Sequence, residues 1–139
     1  NHQETKDGLD ISVIMVDKQE SIIEYAGAMN SIYIIKNGEL EEYKANIATI
    51  GVPIMKKDFD KKVIPFEKND KVYLFTDGFA DQFGGPNCNK LKYHQFKNIL
   101  LEIHNTPLPE QKEILWKYFC DWQGNYEQID DILVLGIKL

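Results

Sequence analysis

Residues 71–83 read KVYLFTDGFADQF and decide how the rest of the chain is interpreted. The first five residues are aromatic, aliphatic or β-branched apart from the leading lysine, which predicts a buried strand. Thr76, Asp77 and Gly78 follow at once, and glycine lets the backbone turn there. Asp-Gly alone is most often a simple turn signal. A carboxylate on the end of a stiff strand is also what a hard cation requires, so both interpretations stand at this point.

A second acidic strand end lies far along the chain. Asp130 and Asp131 immediately precede an apolar run over residues 132–137, which predicts another buried strand. Two strands with acidic ends could direct carboxylates to a single point. We therefore expect Asp77 and Asp130 to approach each other at one end of the sheets.

The composition excludes several classes of protein. The 139 residues are expected to form one domain, 1–139, and the net charge of −6 argues against nucleic-acid binding and against contact with an anionic membrane. No apolar run is long enough to span a bilayer. All 16 basic residues are lysine, so the chain has no guanidinium for bidentate phosphate capture. Any phosphate chemistry would depend on metal ions or backbone amides.

The cysteines and histidines do not form a metal or disulfide pattern. Cys88 falls in a polar loop, whereas Cys120 falls in an apolar helical pattern and is expected in the core. Two such cysteines favour a reducing, cytoplasmic setting. The three histidines are isolated, and each is expected on the surface or on a helix: His2, His94 and His104.

The periodicity predicts strands first and helices later. Strands are expected over residues 9–16, 21–25, 31–36, 39–43, 61–66, 71–75 and 131–139, and helices over 91–104 and 110–122. Asn37-Gly38 is the strongest hairpin signal, while Gly51 and Pro53 interrupt the less regular segment 44–60. This order indicates an α+β fold with a mainly antiparallel sheet.

The second predicted helix has one apolar face, which we expect to pack on a sheet with Phe119 and Trp122 largely buried. That face carries Ile114, Leu115, Tyr118, Phe119 and Trp122.

Several short motifs occur in a fixed order along nearly the whole chain. They are Asp7-Gly8-Leu9-Asp10-Ile11-Ser12, Tyr25-Ala26-Gly27-Ala28-Met29-Asn30, Asn37-Gly38, Ile50-Gly51, residues 71–83, and Gln128-Ile129-Asp130-Asp131-Ile132. With them the chain resembles the C-terminal part of a metal-dependent, protein phosphatase 2C-like (PP2C-like) serine/threonine phosphatase domain of the SpoIIE branch.

The resemblance implies an antiparallel β-sandwich flanked by helices, here incomplete at its N-terminal side. It implies hydrolysis of phosphoserine or phosphothreonine on a protein, such as an anti-sigma factor antagonist, in bacterial signal transduction. It also implies two Mn²⁺ or Mg²⁺ ions that activate a water molecule for direct attack on phosphorus.

Site residues are carried over from the resemblance position by position. Asp77 and Asp130 match metal ligands, and no side chain is assigned as catalytic in its own right. Gly78, Asp81 and Asp131 match outer-shell or structural positions.

The chain also departs from the family pattern. Family members carry further metal-binding acids in an N-terminal half, on motifs that this sequence lacks, and Met29 and Ser31 stand where the family more often has Asn and Pro. A hard divalent ion takes about six oxygen ligands, so two carboxylates do not close a two-metal site. We therefore expect the chain alone to be inactive, with uncovered surface that favours self-association.

Two other interpretations remain open. One is a non-catalytic, phosphatase-like module that binds a protein partner and holds no metal. The other is an unrelated α+β domain with chance Asp-Gly turns, which the ordered set of motifs disfavours.

Overall fold

The computed structural model describes residues 8–51 and 58–139. Asp7, His2 and Pro53, which entered the sequence analysis, lie outside these ranges. The elements in chain order are β1 Ile11–Asp17, β2 Ile22–Ala28, β3 Ile32–Lys36, β4 Glu39–Tyr43, β5 Lys62–Pro65, β6 Lys71–Phe75, α1 Gly78–Asp81, β7 Phe83–Gly84, β8 Asn89–Lys90, α2 Tyr93–Ile103, α3 Leu108–Gln123 and β9 Val134–Lys138.

The strands form two main antiparallel sheets that pack face to face. One sheet has the order β1-β2-β5 and the other β4-β3-β6-β9. Side chains that alternate along each strand fill the space between the sheets. The buried residues there are Ile23, Tyr25, Ile32, Ile34, Ile64 and Val72. Strand β6, the first half of the stretch 71–83, lies between β3 and β9, so the predicted buried strand is confirmed.

The Asn37-Gly38 hairpin is also confirmed. Both residues have positive φ angles, 49° and 82°, as a tight two-residue hairpin turn requires. The turn sets the register in which Lys36 pairs with Glu39, and β4 has the predicted bounds.

The two long helices cover the outer face of the four-stranded sheet. Aromatic rings dominate this second core, in which Phe75 and Phe96 pack edge to face with ring centroids 5.2 Å apart. The buried members are Tyr33, Ile35, Tyr73, Phe75, Phe79, Leu91, Phe96, Ile99, Leu100, Ile103, Leu115 and Phe119. The fold predicted from the sequence, antiparallel sheets flanked by helices, is therefore confirmed.

The buried face of α3 is narrower than predicted. Phe119 is 1% exposed, but Ile114 is 38% exposed and Trp122 is only partly buried. Cys120 is exposed, so its predicted place in the core is wrong. A helix turns about 100° per residue, and the core contact runs along Gln111, Leu115 and Phe119, which points the next residue outward.

Several short elements differ from the prediction. Strand β2 continues through the small residues to Ala28, and α3 begins at Leu108 because Pro109 is tolerated in the first helical turn. The single turn α1 and the β7–β8 pair were not predicted, since they are too short to show a periodicity.

The outer face of the three-stranded sheet is apolar and exposed. Val13, Met15 and Val63 are each more than half exposed there. Leu135 is also exposed, on the side of β9 that points away from the helices. The expectation of uncovered apolar surface is thus confirmed for the described residues. No described helix has the length and hydropathy needed to cross a bilayer.

Candidate metal centre

Two acidic segments far apart in sequence meet at one end of the four-stranded sheet. The Thr76 hydroxyl donates to the Asp131 carbonyl at 2.8 Å and accepts from the Leu133 amide at 2.9 Å. The Thr76 amide donates to the Leu133 carbonyl at 3.1 Å. These bonds continue the β6–β9 ladder beyond its last pair and fix the segment after β6 against the segment before β9.

Gly78 permits this close approach. A Cβ atom at residue 78 would lie 2.5 Å from the Asp131 carbonyl oxygen, well inside van der Waals contact. The residue is buried as the first residue of α1. Glycine is required at this position because any side chain would keep the two segments from touching.

Asp77 has an exposed and uncommitted side chain. It is the N-cap of α1 but makes no side-chain capping bond. Within residues 8–51 and 58–139 its carboxylate has neither a hydrogen bond nor an ion pair. Asp81, by contrast, forms an ion pair with Lys90 at 3.0 Å. Asp77 is thus the carboxylate in this stretch that remains available for a ligand.

Asp130 lies in the exposed loop before β9. Its carboxylate accepts a hydrogen bond from the Asp131 amide at 2.7 Å, and its carbonyl accepts one from the Gln128 side chain at 2.8 Å. These local bonds set the turn from which β9 starts. Asp131 is exposed as well, and its backbone carbonyl makes the contact with Thr76.

A fully buried glutamine anchors the loop that carries Asp130. Gln82 is 0% exposed, and its amide nitrogen donates to the Glu127 carbonyl at 2.8 Å and the Phe83 carbonyl at 3.0 Å. The Gln82 backbone carbonyl accepts from the Trp122 indole at 3.1 Å. The loop after α3 is therefore tied to the residues that follow Asp77.

A polar cavity of about 170 Å³ adjoins Asp77. It is lined by Met29, Asn30, Ser31, Tyr33, Glu42, Phe75, Asp77 and Tyr93. Burial raises the pKa of Tyr93, and the nearby negative charges of Asp77, Asp81 and Glu42 raise it further. The Tyr93 hydroxyl is therefore a stable hydrogen-bond donor at neutral pH.

The described residues do not form a metal site by themselves. They contain no group of three or more acidic, histidine or cysteine side chains placed to hold one ion. Asp77 and Asp130 lie on adjoining segments and offer the oxygen donors that Mg²⁺ and Mn²⁺ prefer. Two carboxylates do not complete the ligand set of a hard divalent ion.

The structure thus brings together the two segments that the sequence analysis paired, while the metal-binding role of Asp77 and Asp130 stays a prediction. Sequence reasoning missed the bridging hydroxyl of Thr76, the anchor Gln82 and the cavity tyrosines. The adjacency of Thr76 to the Asp-Gly turn was an available signal for the first. Gln82, which follows α1, and the cavity tyrosines, Tyr33 on β3 and Tyr93 on α2, carry no comparable signal in the sequence.

Known proteins resemble this chain in sequence and fold. The family model for stage II sporulation protein E (SpoIIE) matches residues 2–139. The SiaA PP2C domain of Pseudomonas aeruginosa is 31% identical, with a TM-score of 0.86 over 94% of this chain and 51% of that one. The phosphatase domain of Bacillus subtilis SpoIIE, presoaked with Mn, is 14% identical, with a TM-score of 0.68 over 100% of this chain and 59% of that one.

RsbX in complex with magnesium is 14% identical, with a TM-score of 0.62 over 93% of this chain and 55% of that one. No curated protein sequence matches the chain. The chain spans about half the length of the solved domains it matches. The family match covers almost every residue, the structural likeness is that of a PP2C phosphatase fold, and the chain belongs to the SpoIIE family of PP2C-like domains.

Proposed function

We propose that this chain forms part of a metal-dependent protein serine/threonine phosphatase in bacterial signalling. The observation that carries the proposal is the meeting of residues 76–78 with residues 131–133, which brings the Asp77 and Asp130 segments to one sheet end. The 31% identity to the SiaA PP2C domain supports the same reaction class.

Asp77 and Asp130 would each give a carboxylate oxygen to a divalent cation, Mn²⁺ or Mg²⁺. When bound, such cations act as Lewis acids that activate water and neutralise phosphoryl oxygens. This chemistry suits a chain that has no arginine. The manganese and magnesium named for two of the solved domains support the choice of metals.

The further ligands would come from the part of the domain that this chain does not span. Since the described residues hold no group of three or more acids placed to bind one ion, the chain by itself is proposed to bind a cation weakly and to lack turnover. Its own contribution is to hold Asp77 rigidly on the end of β6 and to lock the Asp130 loop in place through Thr76 and Gln82.

The substrate is proposed to be a phosphorylated protein, and an anti-sigma factor antagonist is the class that the family suggests. A cytoplasmic location is proposed on the state of the cysteines. Cys88 and Cys120 are both free and exposed, which suits a reducing compartment.

One observation favours a second function. The incomplete ligand set among the described residues also fits a phosphatase-like module that binds a partner and never holds a metal. The two functions differ in one measurable property, since only the phosphatase requires the Asp77 carboxylate for turnover.

The test is a hydrolysis assay with Mn²⁺ on two polypeptides. One is this chain, and the other is a chimera in which the chain replaces the matching half of the Pseudomonas aeruginosa SiaA domain. We expect no turnover of p-nitrophenyl phosphate by the chain and clear turnover by the chimera. In the chimera Asp77→Asn should lower kcat/KM by about 100-fold or more, since even outer-shell changes at metal sites cost about 10- to 100-fold.

Asp121→Asn is the matched control, because Asp121 is an exposed acid on α3 that pairs with Lys117. It should leave turnover unchanged. Turnover by the isolated chain, or a chimera whose activity survives Asp77→Asn, would contradict the proposal. An inactive chimera that still folds would favour the non-catalytic module.

A further inference from the structure

One wall of the cavity beside Asp77 contains a residue in a strained backbone conformation. Met29 has a φ of 62°, in the left-handed region that non-glycine residues rarely adopt. Such strain persists only where the surroundings hold it, and it is common next to functional sites. The wall consists of Met29, Asn30 and Ser31, and it faces Asp77 across the cavity.

Several hydrogen bonds hold this wall in place. The Asn30 carbonyl accepts from the Ser12 hydroxyl at 2.5 Å and from the Tyr25 hydroxyl at 2.9 Å. The Met29 amide donates to the Asn46 carbonyl at 2.9 Å. Gly27 is essential to this packing, since a Cβ atom there would lie 2.2 Å from the Tyr25 hydroxyl oxygen. The wall is therefore fixed before any ligand arrives.

Hydrogen-bond donors face the cavity without partners. Tyr33 is 1% exposed, and its hydroxyl has no hydrogen bond to any residue in 8–51 or 58–139. The Asn30 side-chain amide is likewise unpartnered within the same ranges. The Ser31 oxygen accepts from the Ala45 amide at 3.2 Å, which leaves its proton free to donate. These donors have no protein acceptor in the described part of the chain, so they can bind a ligand that brings acceptors.

The charges at the cavity select a neutral acceptor. Asp77 and Glu42 both line it, so a phosphate dianion without a cation would be repelled. Glu42 is already paired with Lys97 at 2.7 Å, and the same ammonium lies 5.2 Å from the centre of the Tyr33 ring. With the proposed cation bound at Asp77, the cavity would therefore have little remaining attraction for a basic side chain. Peptide carbonyl oxygens are uncharged acceptors that match these donors.

We propose that this cavity is a peptide subsite, which binds the backbone next to the phosphorylated residue of a protein substrate through Asn30, Tyr33 and Tyr93. The proposal rests on the proposed function, because the phosphoryl group must sit at Asp77 for the neighbouring residue to reach the cavity. The subsite contacts substrate only outside the reacting bond. Its loss raises KM for peptides and leaves the chemical step unchanged.

The first test compares two substrates of the chimera with Mn²⁺. One is p-nitrophenyl phosphate, which has no peptide, and the other is a blocked phosphoserine peptide with two alanines on each side. We expect Tyr33→Phe and Asn30→Ala each to raise KM for the peptide about fivefold, the size of one lost net hydrogen bond. The kcat for the peptide and both constants for p-nitrophenyl phosphate should stay within about twofold.

Tyr43→Phe is the matched control. Tyr43 neighbours Glu42 on β4, so its side chain lies on the opposite face of the sheet, where its hydroxyl bonds to Glu41 at 2.5 Å. Tyr43→Phe should leave KM and kcat unchanged for both substrates. Three outcomes would overturn the subsite. In two of them Tyr33→Phe changes the KM of both substrates equally, or leaves the KM of the peptide unchanged. In the third, Tyr43→Phe has an effect as large as that of Tyr33→Phe.

A second test does not require hydrolysis. The same phosphoserine peptide is titrated, with Mg²⁺ present, into the ¹⁵N-labelled 139-residue chain, and amide chemical shifts are followed by NMR. We expect the amide signals of Ser31, Glu42 and Tyr93 to shift. The dissociation constant obtained from these shifts should rise about fivefold in Tyr33→Phe and stay unchanged in Tyr43→Phe. Shifts confined to other surfaces, or none, would overturn the subsite. Peptide binding here with an inactive chimera would instead overturn the phosphatase proposal alone.

Discussion

The outer faces of the two sheets differ in what covers them. The four-stranded sheet packs against α2 and α3, and Phe119 of α3 is 1% exposed in the core that results. The three-stranded sheet carries a similar apolar alternation on β1, yet Met15 is 55% exposed. Apolar patterning therefore gives stability on one face and surface available for association on the other.

The largest effect is expected on the covered face. Phe119→Ala should lower the free energy of unfolding by about 3–5 kcal/mol, since it removes a buried ring and leaves a cavity. Met15→Ala, the matched change on the uncovered face, should cost less than about 1 kcal/mol. Urea denaturation followed by circular dichroism measures both. Similar losses would mean that the two faces are equally buried in solution.

The next effect tests the contact between the two acidic segments. Gly78→Ala should lower the free energy of unfolding by about 1–3 kcal/mol, because the added methyl group meets the Asp131 carbonyl and forces the segments apart. Asp77→Ala is the control, and it should cost less than about 0.5 kcal/mol since its side chain is exposed and has no partner among the described residues. The same denaturation curves measure both variants. A neutral Gly78→Ala would contradict the contact.

A smaller effect concerns association through the uncovered face. Val13→Glu with Met15→Glu places two charges on that face and should raise the dissociation constant of any self-associated form by about tenfold or more. The matched control is Asn98→Glu with Lys112→Gln, which also makes the net charge more negative by two and changes exposed helix positions. Sedimentation velocity across a concentration series measures the effect. Equal shifts in both variants would show that net charge alone controls association.

The smallest effect is a pH dependence within the covered core. Burial raises the pKa of Tyr73 to about 12, partly offset by its hydrogen bond to Gln111. The unfolded phenol titrates near 10, so this stability is present below pH 10 and is lost as the pH rises toward 12. Tyr73→Phe should therefore show a shallower decline of unfolding free energy between pH 9 and 11. An unchanged decline would assign it to other tyrosines, such as Tyr25.

The sequence predicted the sheet strands and long helices well because their periodicity and turn residues are local signals. Asn37-Gly38 specified a hairpin register directly, whereas Cys120 was misplaced because the pattern of an amphipathic helix does not fix the edges of the stripe that is buried. The pairing of the Asp77 and Asp130 segments was predictable from two acidic strand ends. The cavity was not, since its walls come from distant strands and a helix that meet only in the folded chain.

The most direct test of the central claim, that Asp77 and Asp130 serve one cation site, is paramagnetic line broadening by Mn²⁺ in ¹⁵N-labelled chain, with Mg²⁺ as the diamagnetic control. The amide signals of residues 76–78 and 130–132 should broaden together at low Mn²⁺ concentration, and Asp77→Asn should reduce the broadening in both segments. Broadening of only one segment, or at another acidic surface such as Glu41, would contradict it.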